Sequence, residues 1–237
     1  MGKELRLGEI SVDVVFKDIK NVHLGVYPPT GRVRISAPER MSLDTIRLFA
    51  IGKLGWIKAQ QRKLQAQDRE TPREFLERES HYLWGKRYLL EINEGASATG
   101  VDVEHQAIKL RVRSASQKQL KELLDNHYRA ELKKLAATSV AKWEKRLGVK
   151  VERLYVQKMK TMWGSCNPAR RTIRLNLELA KKLPECLDYV VLHEILHFFV
   201  QDHGEKFQAL MDQHMPGWPT TRRKLNEAPL AHTDWTL

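Results

Sequence analysis

The chain has 237 residues, 42% of them hydrophobic and 30% charged, with a formal net charge of +12. That balance excludes a disordered chain, and with no apolar run of about 18 residues no segment is expected to cross a membrane. Two cysteines, Cys166 and Cys186, exclude a disulfide framework and suit a reducing, cytoplasmic setting.

The start, MGKELRLGEISVDVV, has no apolar core of a secretory signal, and Arg6 stands where a myristoylation motif needs a hydroxyl. ISVDVVF and RVRISAP alternate apolar and polar residues as strands do, and YPPTGR between them reads as a turn. Ser42 and Asp44 are placed to cap one helix over LDTIRLFAIGKLGWIKAQQRKLQ. A polar stretch follows, then YLLEI and IKLRVR as a hairpin joined through NEGASATG. From Ser116 the spacing of Leu120, Leu124, His127 or Tyr128, Leu132, Leu135, Val140, Trp143 and Leu147 predicts a long core-packing helix ended by Gly148. VERLYVQ reads as a strand, KMKTMWGSCNPARR as a loop and TIRLNLEL as a strand. Pro184 then opens a helix, and EKFQALMDQHM and PTTRRKLNE supply one or two more. No internal repeat is visible.

VVLHEILHFFVQDH, Val190 to His203, poses the chemical question, because it places polar groups in an apolar helix. Each would cost on the order of a few kcal/mol if buried unpaired. His193 and His197 are four apart and share a helix face, where two imidazoles can bind one metal ion. Glu194 stands beside them and can take a proton from water, the arrangement of H-E-x-x-H zinc hydrolases. A catalytic zinc needs a third protein ligand. On a continuing helix His203 would lie about 15 Å beyond His193, so the chain must turn after about Val200. Asp202, as the cap of a new helix with Glu205 three residues on, would present His203 back toward the pair. His214 and His232 are read as surface residues.

KTMWGSCNPARRTIRLNLELAKKLPECLDYVVLHEILHFFVQDHGEKF closely resembles the YgjP-like, SprT-related family of predicted zinc-dependent metalloproteases. WGSC, IRLNLELA, the H-E-x-x-H helix and HGEKF carry the resemblance, and YLWGKRYLLEI extends it over most of the chain. It implies zinc on His193, His197 and His203, Glu194 as catalytic acid/base, and a zincin-like fold whose IRLNLEL strand borders the cleft and pairs with an extended peptide. Met162 departs from the basic residue expected before WGSC, and Val200 replaces the turn glycine of metzincins. Trp163 is read as a packed aromatic. Cys166 is read as a small buried residue, since it lacks a C-x-x-C partner.

The expectation is an α+β protein with a strand-rich unit over 1–114 that carries one helix. The long helix and a zincin-like catalytic unit would fill 115–237. Its function would be zinc-dependent hydrolysis of a peptide or protein substrate, with one Zn2+ or another divalent ion that imidazoles accept. The basic surplus keeps a nucleic-acid-associated protein, or a protease of DNA-bound proteins, as the alternative. Against that, 41 basic residues are interspersed with 29 acidic ones, which describes a solvated surface. An inactive metal-binding scaffold is the third reading, and it gives Glu194 nothing to do.

Overall fold

The computed structural model describes residues 2–27, 31–65, 73–159 and 162–227. The alternation read in ISVDVVF buries Ile10, Val12 and Val14 on one face. The strands around them are β1 (Gly2–Leu7), β2 (Ile10–Lys17), β3 (His23–Tyr27) and β4 (Arg32–Pro38), in the order β1-β2-β4-β3. β2 and β4 run parallel, each with an antiparallel outer neighbour. Pro28 to Thr30 of the expected turn lie outside the described residues.

Ser42 caps α1 (Leu43–Gly52) by accepting from the Thr45 backbone N–H at 3.2 Å. The single helix expected beyond it is two, because the chain breaks at Lys53 before α2 (Leu54–Gln65). Gly52 and Gly55 flank the break, and glycine is the weakest helix former after proline. Ile46, Ala50 and Ile57 complete the core over the sheet.

A second four-stranded sheet contains β5 (Ser80–Leu83), β6 (Lys86–Asn93), β7 (Gly100–Glu104) and β8 (Ala107–Arg111). Its order is β5-β6-β8-β7, again with a central parallel pair and antiparallel outer strands. The expected hairpin of YLLEI and IKLRVR is therefore a parallel pair. Parallel neighbours need a long connection, and residues 94–106 supply it, with β7 inside it. The topology of the first sheet is thus repeated in the second, and each is followed by a helix with serine at its N-cap, Ser42 and Ser116.

α3 (Gln117–Leu147) has the expected C-terminal glycine and a capping box at its start. Ser116 and Gln119 form a capping box, and Gly148 ends the helix at φ 66°. Its stripe is buried at Leu120, Leu124, Tyr128, Leu132, Val140 and Trp143, with Leu135 and Leu147 partly covered. Each fully buried leucine contributes about 1.5–3 kcal/mol. β9 (Arg153–Gln157), β10 (Gly164–Asn167) and β11 (Thr172–Asn176) form a third sheet in the order β10-β11-β9. A 3-10 turn (Leu177–Lys181) leads to α4 (Pro184–Leu196), followed by α5 (Glu205–His214) and α6 (Trp218–Glu227).

The architecture is α+β, and the chain divides into compact units at Met1–Arg69 and Glu70–His232. The boundary expected at 114/115 cuts elsewhere. Leu83, Leu90, Ile108 and Leu110 of the second sheet share one core with α3 and α4, so that sheet belongs to the C-terminal unit. Among the described residues no helix is long and apolar enough to cross a membrane.

A half-buried carboxylate joins α3 to α4. Asp188 accepts from Ser139 Oγ at 2.6 Å, Trp143 Nε1 at 2.8 Å and Lys142 Nζ at 2.7 Å. Asp188→Ala strips the buried indole and hydroxyl of their acceptor, and stability is expected to fall by about 2–4 kcal/mol. Asp188→Asn keeps one acceptor and should lose about 1 kcal/mol. Urea unfolding of both variants measures the difference, and equal losses would remove the hydrogen bonds as the cause.

Candidate metal centre

Tyr189, His193 and His197 repeat every four residues along one face of α4. The helix ends at Leu196, where His197 is the C-cap and the chain reverses through Phe198, Phe199 and Val200. His197 Nδ1 lies 2.9 Å from the Val200 carbonyl oxygen. A carbonyl only accepts, so Nδ1 carries the proton and Nε2 is left as a lone pair. The same reversal returns His203 to the pair, as the distance argument required.

The device that returns it differs from the expected one. Asp202 is not the cap of α5; Gly204 is, without a side-chain hydrogen bond. Asp202 Oδ1 instead accepts from the Gly204 backbone N–H at 3.0 Å, a local turn contact that a short carboxylate makes readily.

The three Nε2 atoms converge. His203 lies 3.0 Å from His193 and 3.2 Å from His197, and His193 lies 3.3 Å from His197. A tetrahedral ion with bonds of about 2.0–2.1 Å spaces its ligand atoms by about 3.3–3.4 Å. The residues therefore fit one ion to within a few tenths of an ångström. Three facing nitrogens cannot all be satisfied by protons shared among themselves, whereas one cation satisfies every lone pair. Burial, then the neighbouring His197, His203 and Arg222, hold His193 down to about 3. Burial first and His197 next also lower His203. Both rings are thus neutral near pH 7, the form that binds metal.

Phe207 backs the cluster, its ring centroid 4.9 Å from each of the three imidazoles. It follows His203 by four residues and is buried. That spacing was its signal in the sequence, but nothing there showed which way α5 would lie. Tyr189 lies 5.8 Å from the His193 ring, and Trp218 of α6 stacks on Tyr189 at 6.4 Å with planes 4° apart.

Glu194 points into the same cleft, a cavity of about 580 Å³, although its residue is only 6% exposed. Burial raises its carboxyl to about 7, offset in part by a hydrogen bond from the Cys166 thiol. The thiol is itself pushed up to about 11, by burial first and by Glu194 next, and so stays protonated and donates. Cys166 is therefore a half-buried member of the cleft wall rather than core filler, and Trp163 lines the wall beside it.

The wall is β10, which the sequence disguised as a loop. Asn176 holds its approach: Nδ2 donates to the carbonyls of Met159 and Met162, at 2.9 Å each. The strand expected to border the cleft and accept a peptide, IRLNLEL, is β11. Both of its edges are taken, by β10 and β9, so the open edges of this sheet belong to those two outer strands, and of them β10 lines the cleft. Met162 is 53% exposed at the cleft. His214 is not a free surface residue, since it packs edge-on against Trp143 at 6.4 Å. His232 lies outside the described residues.

Residues 20–228 match the family model described as the YgjP-like metallopeptidase domain. No curated protein matches the chain. Two solved structures show local similarity. One is the metallopeptidase zymogen jannalysin of Methanocaldococcus jannaschii, 23% identical over 38% of this chain and 86% of that one, with a TM-score of 0.35. The other is the metallopeptidase zymogen abylysin of Pyrococcus abyssi, 16% identical over 43% of this chain and 99% of that one, with a TM-score of 0.34.

Gly164 is the closest approach of β10 to α4. A Cβ there would lie 2.7 Å from Glu194 Oε1 and 2.9 Å from Val190 Cγ1. Gly164→Ala is expected to cost about 1–3 kcal/mol through overpacking. Denaturant titration would show this as a lowered midpoint, and an unchanged midpoint would mean that Glu194 has room to move.

Proposed function

This chain belongs to the YgjP-like metallopeptidase family, and from that premise we propose that it is a zinc-dependent peptidase with Glu194 as its general base. The observation that carries the reading is the convergence of the three Nε2 atoms at 3.0–3.3 Å beside a buried glutamate. His193, His197 and His203 would hold the ion through Nε2. When bound, a zinc ion acidifies water and polarises a carbonyl.

The remaining steps belong to the protein. Glu194 takes a proton from the attacking water and delivers it to the leaving amine. Its carboxyl, held near pH 7 by burial, suits both transfers. The Cys166 thiol and the Gly164 backbone limit where that carboxylate can swing. An extended peptide would pair with the open edge of β10, so that its scissile carbonyl passes over the histidines. With β10 above and α4 below, Glu70–His232 would form a zincin-like catalytic unit.

Purified protein is expected to contain close to one zinc per chain by elemental mass spectrometry, and His203→Ala much less. Loss of one imidazole from three leaves two, too few for a stable catalytic site. A parent that takes up no metal even when zinc is supplied would overturn the reading. Glu194→Gln should keep the metal and lose about 10²–10⁴-fold in turnover of a peptide substrate. Retained turnover would exclude Glu194 as the base.

A further inference from the structure

Among the described residues lining the cleft, Glu194 is the only carboxylate and Arg222 the only lysine or arginine. The carboxylate is buried and accepts from Cys166, so it does not neutralise the guanidinium. Among the described residues Arg222 has no hydrogen-bond or ion-pair partner. Its position is nonetheless built. Arg222, Leu225 and Asn226 share one face of α6, and Leu225, 1% exposed, anchors that face in the core. One turn earlier, Trp218 stacks on Tyr189 of α4. The nearby Lys224 is engaged elsewhere, with Glu185 Oε1 at 2.8 Å. Arg222 is thus an exposed cation that lines the cleft from an anchored helix.

We propose that Arg222 is a specificity-determining residue that pairs with a carboxylate of the bound peptide. This rests on the peptidase reading. A carboxylate matches the planar fork of a guanidinium with two charge-assisted hydrogen bonds, which a neutral amide cannot do. Arg222 lines the same cleft as His193, His197 and His203. A carboxylate seated there therefore lies next to the reacting centre rather than on a distant surface. Its source is either an acidic side chain or the free C-terminus of the peptide.

The test uses the full chain loaded with zinc and carrying Glu194→Gln, so that peptides bind without being cleaved. One amidated neutral peptide is compared with versions in which Glu is scanned along it, and with the same neutral peptide bearing a free C-terminal carboxylate. At least one carboxylate is expected to tighten binding about tenfold. The preference should vanish on adding Arg222→Gln, persist in part with Arg222→Lys, and turn toward a lysine-bearing peptide with Arg222→Glu. Whichever version gains identifies the source. Thermal unfolding of each variant checks that it is folded. A carboxylate preference that is absent, or that survives Arg222→Glu, overturns the assignment of Arg222 alone. If no peptide binds and the parent cleaves none, the peptidase reading fails and the assignment falls with it.

Discussion

Three nitrogen lone pairs facing one another within 3.3 Å are the constraint on which the C-terminal unit depends. Such an arrangement is unfavourable unless a cation fills it, and everything around it keeps the rings from turning away. The helix supplies two imidazoles at the cost of its own last turn, for His197 serves both as C-cap and as donor to the Val200 carbonyl. That hydrogen bond selects the tautomer and bends the chain in the same contact. Phe207 then leaves the three rings an apolar backing, so their polar edges have one direction in which to point.

The rest of the unit makes this arrangement stiff. Asp188 and the buried Trp143 join the site helix to α3, and α3 carries a stripe of large side chains into the same core. On the opposite side β10 approaches so closely that only a glycine fits beside Glu194. Burial of Glu194 follows from this approach, and the burial is what raises its carboxyl toward neutrality. One packing decision, a short edge strand against a helix, thus sets the proton affinity of the proposed base and offers an edge to a peptide.

The two four-stranded sheets share a strand order and a following serine-capped helix, yet no repeat is visible in the sequence. Strand pairing rests on backbone hydrogen bonds and tolerates any side chains with suitable alternation. The long helix was legible because its apolar spacing and its terminal glycine act within a few residues, and its capping box adds a further local device. β10 was not, since GSCN has neither alternation nor branched residues and becomes a strand only because β11 lies beside it.

Local chemistry in the sequence was enough to assign the α+β class, the helix bearing His193 and His197, and the need for a turn that brings His203 back. Helical geometry converts a spacing of four into proximity without help from the rest of the chain. Tertiary structure alone decided how the chain turns, with Gly204 rather than Asp202 at the head of α5, and which outer strand lines the cleft. It also decided that the second sheet shares a core with the helices α3 and α4, that the Cys166 thiol meets Glu194, and that Arg222 joins the cleft. These are contacts between residues far apart in the chain. Their existence depends on how whole elements pack, and no local spacing encodes that.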